Sequence, residues 1–289
     1  ITSSIEHKAV LETVKAMKKK GFEIDIINPN PSGYVDIQAV LGKVRDDTLL
    51  VSIMHVNNET GIIQPVQELG EELSKRNVLF HVDATQSCGK LVDELRKIKY
   101  NILSFSAHKL QGPQGVGGLI LRKKRYKLPP VKQIMYGGQQ EHGIRPGTIP
   151  VALVVACGKA CEIAEQEYID NHEKVKLLKK ALFETLDMSG VNYHFNGDQS
   201  VCIDSTANIC FSGVMSEALM ISAKQYCSIS NGSACTSKSY SPSYVLEAMG
   251  MSVDEIENSI RVSWGAEVSE IEFRESIEQL LEVVKSLAI

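Results

Sequence analysis

The stretch Ser104-Phe105-Ser106-Ala107-His108-Lys109 runs on into Leu110-Gln111-Gly112-Pro113-Gln114-Gly115-Val116-Gly117-Gly118. A lysine therefore ends a short apolar run, next to a histidine, just before a loop with four glycines and a proline. Taken alone, such a lysine is most simply a surface residue in a turn. However, the stretch Phe80-His81-Val82-Asp83-Ala84-Thr85-Gln86 ends another apolar run in a carboxylate, about one strand–helix–strand unit earlier. We expect Lys109 and Asp83 to lie close together at the ends of two strands.

The composition is that of a globular protein with a sizeable core. The chain has 289 residues, of which 43% are hydrophobic and 23% charged, and its formal net charge is −4, which predicts one large domain and a smaller one. The basic runs Lys18–Lys20 and Arg122–Arg125 are short, so solvated surfaces are favoured and no direct nucleic-acid binding is predicted. No apolar run approaches the ~18–20 residues of a membrane helix and no signal-peptide pattern opens the chain, so no membrane association is predicted.

The cysteines are unlike the disulfide framework of a secreted protein. There are seven, an odd number, and most lie in apolar segments. We therefore predict reduced thiols and a cytoplasmic location. Cys157 and Cys161 are one helical turn apart among apolar residues, which favours buried packing over a metal pair, and no metal site is predicted.

Strand and helix patterns alternate through the first half of the chain. The almost continuous β-rich run Thr48–Met54 is typical of a strand buried on both faces of a parallel sheet. The alternation predicts an α/β fold with an open, mainly parallel sheet and right-handed crossovers, in which ligands bind at the carboxyl ends of the strands. Helices are predicted over 5–20, 37–44, 66–76, 149–186 (interrupted near Tyr168 to Asn171), 217–224, 243–249 and 271–287, and strands over 22–27, 48–54, 78–82, 102–106, 118–121, 191–195, 207–211 and 259–265. Six polar residues fall at predicted strand ends: Asn58, Asp83, Gln86, Ser106, His108 and Lys109.

The second half of the chain has a different pattern. A glycine-rich loop from Tyr136 to Thr148 is followed by a long helical pattern that we interpret as the link between domains. We predict a large domain over 1–155 and a small α+β C-terminal domain over 156–289. Because Ile1-Thr2-Ser3 resembles the end of a strand and the chain has no initial methionine, we expect it to begin inside the large domain, with the N-terminal part of that domain missing.

A lysine and an aspartate at one sheet edge suit pyridoxal phosphate. This cofactor stabilises carbanions, binds a lysine as a Schiff base and requires an acidic partner at its ring nitrogen. Lys109 would be the Schiff-base lysine and Asp83 the partner of the ring nitrogen. A nucleotide site is less well supported, because the glycines after Lys109 do not have the G-x-G-x-x-G spacing and no G-x-x-x-x-G-K-[ST] motif occurs.

Two residues of the C-terminal half complete the candidate chemistry. Cys235 is the one cysteine in a polar loop rich in serine and glycine, about 228–241, where an exposed thiolate could reach a bound substrate. Arg261, in the predicted strand 259–265, has a planar guanidinium group that can donate two parallel hydrogen bonds to a substrate carboxylate. The simpler alternatives are an incidental loop cysteine and a surface arginine in a salt bridge.

Seven motifs together resemble the cysteine desulfurases, in the order in which that family has them. The resemblance spans residues 1 to about 265, and the long loop around Cys235 is similar to the group with an extended, mobile catalytic loop. The motifs are Glu6-His7-Lys8-Ala9-Val10, His55-Val56-Asn57-Asn58-Glu59-Thr60-Gly61, His81-Val82-Asp83-Ala84-Thr85-Gln86-Ser87, Ser104-Phe105-Ser106-Ala107-His108-Lys109, Arg145-Pro146-Gly147-Thr148, Gly232-Ser233-Ala234-Cys235-Thr236-Ser237 and Ser259-Ile260-Arg261.

The resemblance implies a pyridoxal-phosphate enzyme of fold type I. It further implies a homodimer that converts L-cysteine to L-alanine, with a persulfide on Cys235 that is passed to a sulfur-acceptor protein. For cofactor binding, the resemblance implies that Ser106 and His108 bind the phosphate, that Thr148 reaches the phosphate across the dimer interface, and that Gln86 binds the phenolic oxygen while His7 stacks on the cofactor. For substrate binding, it implies that Asn58 and Arg261 hold the carboxylate. For catalysis, it implies that Lys109 links the cofactor and moves protons, that His7 is an acid/base candidate and that Cys235 attacks the substrate sulfur.

The sequence departs from this family at its start. Family members have a segment before the His7 helix with a phosphate-binding turn, and nothing here matches it. A chain that began at Ile1 is therefore expected to hold pyridoxal phosphate weakly. The alternatives are a selenocysteine lyase, a transaminase of the same fold, which would have no need of Cys235, and a cofactor-free scaffold that binds sulfur-acceptor proteins. The acceptor itself, in iron–sulfur assembly, tRNA thiolation or DNA sulfur modification, is not identified by the sequence.

Overall fold

The computed structural model describes residues 1–76, 78–232 and 242–288. The chain divides into two compact units, which are named here after the functional candidates they contain. The arginine unit comprises Ile1–Val44, Val56–Pro65 and Ile169–Ile289, and the lysine unit comprises Arg45–His55 and Val66–Tyr168. The predicted division into domains 1–155 and 156–289 stays a prediction.

Strands and helices alternate along the chain. The strands are β1 (Thr2–Ser3), β2 (Ile26–Ile27), β3 (Leu50–Met54), β4 (Leu79–Asp83), β5 (Ile102–Ser106), β6 (Gly117–Leu121), β7 (Tyr193–Phe195), β8 (Thr206–Phe211) and β9 (Ser259–Ser263). The helices are α1 (Lys8–Lys19), α2 (Ile37–Leu41), α3 (Val66–Ser74), α4 (Val92–Lys97), α5 (Val151–Ser189), α6 (Ser216–Ser222), α7 (Tyr244–Ala248), α8 (Val253–Glu257) and α9 (Glu270–Leu287). Short 3-10 turns occur at Ala107–Leu110, Gln140–Gly143 and Gln199–Val201.

The sheet of the lysine unit runs in the order β3, β4, β5, β6. Strands β3, β4 and β5 are parallel, whereas β6 is antiparallel to β5. The connection of residues 107–116 is shorter than the dozen or more residues that a parallel crossover requires, which explains the reversal. A Cβ atom at Gly117 or Gly118 would overlap the Phe105 carbonyl or ring, so glycine is needed for β6 to lie this close to β5. The predicted mainly parallel sheet is confirmed.

The arginine unit contains a smaller antiparallel sheet in the order β7, β8, β9. It also contains the parallel pair β1 and β2. Helix α9 begins at a capping box, in which the Ser269 hydroxyl accepts from the Glu272 amide and the Glu272 carboxylate accepts from the Ser269 amide. The core of this unit is formed by apolar side chains of β8, β9, α6, α9 and the last turns of α5, including Leu182, Leu186, Ile209, Phe211, Leu219, Ile260, Leu280 and Val284.

Several element boundaries differ from those expected from the pattern. The predicted interruption of the long helix near Tyr168 is wrong, since α5 is continuous. In that segment Tyr168 and Asn171 are half-buried and Ile169 and Asp170 are exposed, so the apolar pattern fades, but the segment contains neither proline nor glycine to break the helix. The strand predicted over 22–27 is reduced to Ile26–Ile27. Helix α8 was not predicted, although Ser252 and Glu255 have the spacing of a capping box and form one.

No helix within the described residues is both long and apolar enough to cross a membrane.

Candidate active site

The sheet of the lysine unit brings the predicted aspartate and lysine to one edge. Asp83 is the last residue of β4, and its register partners are Met54 on β3 and Ser104 on β5. Strand β5 ends at Ser106, and the 3-10 turn that follows at once carries His108 and Lys109. Since β4 and β5 are parallel, both strands end at the same edge. We call this edge, with Asp83, Ser106, His108 and Lys109, the lysine rim.

One hydrogen bond holds the Asp83 carboxylate and another holds its main chain. The carboxylate Oδ1 accepts from the Thr85 amide at 3.0 Å, and the main-chain carbonyl oxygen of Asp83 accepts from the His55 amide at 2.9 Å. The residue is only 9% exposed, whereas Lys109 is exposed. A fixed, nearly buried carboxylate at this edge suits a partner that carries a proton on a ring nitrogen.

Ser106 and His108 are also brought together. The Ser106 hydroxyl lies 2.7 Å from Nδ1 of His108. The turn between them and the next strand is closed by Gln111 in the left-handed region, at φ 62°, and by a 2.8 Å hydrogen bond from the Gly112 amide to the Ala107 carbonyl. This pair presents a hydroxyl and an imidazole side by side, a combination able to bind phosphate oxygens.

His81 is a feature of the lysine unit that the sequence analysis did not single out. Its Nδ1 lies 2.8 Å from the Ser52 hydroxyl and its Nε2 lies 3.0 Å from the Ser104 hydroxyl, so it bridges β3, β4 and β5. Burial lowers the pKa of His81, although the negative charge of Asp83 opposes that shift. The signal was available, because His81 and Asp83 are two residues apart on one strand and so face the same side of the sheet.

Lys90 is a second lysine close to the rim. Burial lowers its pKa, and the positive charge of Lys109 lowers it further. The two ammonium groups therefore repel each other. Lys90 follows the turn after β4, in which Gln86 is half-buried, and this makes it a natural control for experiments on Lys109. Thr148 is exposed in the segment between the 3-10 turn Gln140–Gly143 and α5.

In the arginine unit, Arg261 is directed at the turn that carries Asn58. Its Nη1 donates to the Asn58 carbonyl at 2.7 Å. The main chain of Arg261 is held on both sides, by Asn208 of β8 in register and by an isolated bridge to Ser230, whose carbonyl accepts from the Arg261 amide at 2.6 Å. The half-buried Arg261 side chain is thereby fixed at its base and its tip.

The remaining candidates of this unit occupy defined positions. His7 caps α1, because its Nδ1 accepts from the Ala9 amide at 3.2 Å. The segment before it is held by a 2.9 Å hydrogen bond from the Asn57 side-chain amide to the Ile5 carbonyl. Cys235 lies outside the described residues.

Asn58 supplies a test of whether a ligand fits. Its side-chain oxygen Oδ1 is buried and accepts no hydrogen bond from any residue that the structure describes. A buried polar atom without a partner costs about 1–3 kcal/mol, so such an atom indicates a ligand or water that completes the bond. Within the lysine unit, a primary amine, a buried carboxylate and an imidazole paired with a hydroxyl match the amine linkage, ring nitrogen and phosphate of pyridoxal phosphate. Within the arginine unit, the guanidinium of Arg261 and the amide of Asn58 match the carboxylate of an amino acid.

Comparison with known proteins agrees with this chemistry. The family model described as aminotransferase class-V matches residues 1–273. The chain is 41% identical over 287 residues to the cysteine desulfurase IscS of Glaesserella parasuis, covering 99% of this chain and 69% of that protein. It is 43% identical over 279 residues to the cysteine desulfurase IscS of Photorhabdus laumondii, covering 96% of this chain and 68% of the relative. The chain belongs to the cysteine desulfurase family.

Solved structures of similar proteins have the same fold. DndA from Streptomyces lividans superimposes with a TM-score of 0.81 at 38% identity, covering 91% of this chain and 74% of that one. A NifS-like protein gives a TM-score of 0.88 at 33% identity, covering 99% and 74%. SspA in complex with cysteine gives 0.75 at 33% identity, covering 91% and 72%. The predictions of the cysteine desulfurase family, of the fold-type-I architecture and of pyridoxal phosphate as its cofactor are confirmed.

Proposed function

We propose that this protein is a cysteine desulfurase that converts L-cysteine to L-alanine and keeps the sulfur as a persulfide on Cys235. The single observation that carries the proposal is the lysine rim, where the parallel strands β4 and β5 end together in a buried aspartate and an exposed lysine. Its membership of a family with relatives named cysteine desulfurase supports the choice of reaction.

The overall reaction needs no external oxidant. The Cβ–S bond of the substrate breaks and an S–S bond to the Cys235 sulfur forms, so that the substrate sulfur is oxidised while Cβ is reduced to the methyl group of alanine. The hydrogen atoms of the two thiols and of the substrate are all retained in the persulfide and the alanine. Pyridoxal phosphate, when bound, supplies an electron sink that stabilises negative charge at the substrate carbons.

Individual residues of the chain have separate roles in binding the cofactor and in moving protons. We propose that Asp83 holds a proton at the ring nitrogen and that Ser106 and His108 bind phosphate oxygens. The amine of Lys109 attaches the cofactor and moves protons at the substrate carbons. In the same proposal Gln86 binds the phenolic oxygen, His7 stacks on the ring and serves as an acid/base group, and Thr148 reaches a phosphate of the partner subunit in a homodimer.

Arg261 and Asn58 are proposed to hold the substrate carboxylate. The fixed base of Arg261 on β9 favours this role, since a preorganised guanidinium loses little freedom when it forms a bidentate contact. The persulfide sulfur is then passed to an acceptor protein. A cytoplasmic location belongs to this proposal as well.

Product analysis tests the function directly. The purified full-length protein, loaded with pyridoxal phosphate, is incubated with L-cysteine, and alanine is quantified while the cysteines are mapped by mass spectrometry. One alanine formed per persulfide supports the proposal. Keto acid in place of alanine would indicate a transaminase. The absence of both visible cofactor absorbance and product would indicate a cofactor-free scaffold that binds sulfur-acceptor proteins. A much higher kcat/KM for L-selenocysteine than for L-cysteine would indicate a selenocysteine lyase.

Replacement of Arg261 with alanine is expected to weaken cysteine binding and to leave cofactor binding intact. A hydrogen bond to a charged group contributes roughly 1.5–3 kcal/mol, which corresponds to a rise of roughly 10- to 150-fold in the half-saturation concentration. Arg261→Lys is the matched control. It keeps the positive charge but lacks the two parallel donors of a guanidinium group, so it should bind L-cysteine more tightly than Arg261→Ala but less tightly than the wild type. An Arg261→Ala enzyme with the wild-type half-saturation concentration would remove Arg261 from the substrate site.

A further inference from the structure

Glu59 is a buried carboxylate to which no role has been given above. It is fully buried, at 0% exposure, and lies in the turn directly after Asn58. A carboxylate is rarely buried to this extent unless it is paired, because loss of hydration is costly. Its neighbours in the arginine unit therefore indicate what it does.

The backbone of Glu59 is fixed on both sides. Its amide donates to Oδ1 of Asn57 at 2.8 Å, and its carbonyl accepts from Nδ2 of Asn208 at 3.0 Å. These two bonds fix the direction of the Cα–Cβ bond of Glu59. Its Oε2 accepts from the Ser243 hydroxyl, which in turn accepts from the Leu246 amide at 3.2 Å and so caps α7.

The same oxygen also faces Gly232. A Cβ atom built on Gly232 would lie 3.4 Å from Oε2 of Glu59 and 3.6 Å from Cβ of Ser243, and Gly232 has a positive φ of 117°. Gly232 and Ser243 stand on either side of residues 233–241 in the sequence. One buried carboxylate thus binds Ser243, just after the segment that contains Cys235, and lies close to Gly232, just before it.

Glu59 is coupled to Arg261 as well. The Asn58 carbonyl that accepts from Nη1 of Arg261 belongs to the peptide bond joining Asn58 to Glu59. Burial raises the pKa of Glu59, while the hydrogen bond from Ser243 and the positive charges of Arg261 and Lys8 oppose the shift. Rotation of the Asn58–Glu59 peptide would move the acceptor of Arg261, and the Glu59 side chain resists that rotation through Ser243.

We propose that Glu59 is a positioning residue that sets the orientation of Arg261 for the substrate carboxylate and anchors the chain at Ser243. The inference rests on the proposed function, since it takes Arg261 as the group that binds the carboxylate. It assigns to Glu59 no contact with substrate or cofactor. Glu59 acts through the Asn58 carbonyl on one side and through the Ser243 hydroxyl on the other.

A double-mutant cycle on the full-length, cofactor-loaded protein tests the coupling to Arg261. Glu59→Ala is expected to raise the half-saturation concentration for L-cysteine about tenfold, with a smaller change in kcat. If Glu59 acts through Arg261, the double variant Glu59→Ala/Arg261→Ala will have the same half-saturation concentration for L-cysteine as Arg261→Ala alone, because effects of residues in one network are not additive. If the concentration in the double variant rises by the product of the two single increases, Glu59 acts independently of Arg261 and the proposal is overturned.

Amide hydrogen exchange tests the anchor without reference to activity. In Glu59→Ala the first turn of α7 is expected to exchange faster at Leu246, and Glu59→Gln, which keeps an acceptor for the Ser243 hydroxyl, is expected to restore the protection. Ser243→Ala should raise the half-saturation concentration as Glu59→Ala does. The matched control is Ser252→Ala, which removes the cap of the neighbouring helix α8 and should leave that concentration unchanged.

The outcomes separate the two proposals. If the wild-type protein forms no alanine, the proposed function fails, while hydrogen exchange still tests the contact between Glu59 and Ser243. If the wild-type protein is active but Leu246 is equally protected in Glu59→Ala, the anchor is absent and the inference fails. Should Glu59→Ala fail to fold, Ser243→Ala keeps the test available, because it removes the same contact from the other side; an unchanged half-saturation concentration for L-cysteine in this variant would overturn the inference.

Discussion

Replacement of Lys109 with alanine is expected to abolish both the visible absorbance of the lysine-linked cofactor and the formation of alanine. Lys109 stands in the 3-10 turn directly after β5, one strand away from Asp83, so its amine is the group placed at the sheet edge to make that link. Loss of proton transfer alone costs about 10²–10⁴-fold in rate, and loss of covalent attachment adds to this. Absorbance spectra and alanine quantification measure the two losses.

Lys90→Ala is the control for this experiment. Lys90 lies close enough to Lys109 for the charge of Lys109 to lower the pKa of Lys90, yet it is half-buried after the turn that follows β4. The Lys90 variant should keep the absorbance of the linked cofactor. If instead Lys109→Ala keeps that absorbance and Lys90→Ala loses it, the assignment of the cofactor lysine is wrong.

Replacement of Cys235 with serine is expected to leave cofactor binding intact and to stop persulfide formation. The thiolate is the nucleophile toward sulfur, and a hydroxyl does not replace it at neutral pH. The described cysteines are poor substitutes, because burial raises the pKa of five of them: Cys88 and Cys202 to about 11, and Cys161, Cys210 and Cys227 also upward. A thiol with a pKa of about 11 is ionised to roughly one part in 10,000 at pH 7.

Cys227→Ser is the matched variant, since Cys227 is a half-buried thiol close to Cys235 in the sequence. It should form persulfide at the wild-type rate. Mass mapping after reaction with L-cysteine locates the added sulfur. A persulfide found on Cys227 or Cys88, or an active Cys235→Ser enzyme, would transfer the role to another cysteine.

Much of the lysine rim was predictable because its determinants are local. Each strand of a parallel sheet is an apolar run, and a polar residue that ends such a run falls at the ligand-binding edge whatever the rest of the chain does. Asp83 and Lys109 satisfy this condition, and the sheet places them together. The predicted break of α5 near Tyr168 is wrong because a fading apolar pattern marks a change in the exposure of a helix and not its end.

The alternation of elements, the aspartate and lysine at one sheet edge and the family motifs can be predicted from the amino-acid sequence, because they depend on neighbours within one strand or turn. The folded chain adds that Arg261 is directed at the Asn58 carbonyl, 203 residues away, and that Glu59 accepts from Ser243, 184 residues away. Nothing in the pattern indicates such pairs. Local periodicity encodes which face of an element is buried, whereas the partner that a buried polar group finds is set by how distant segments pack.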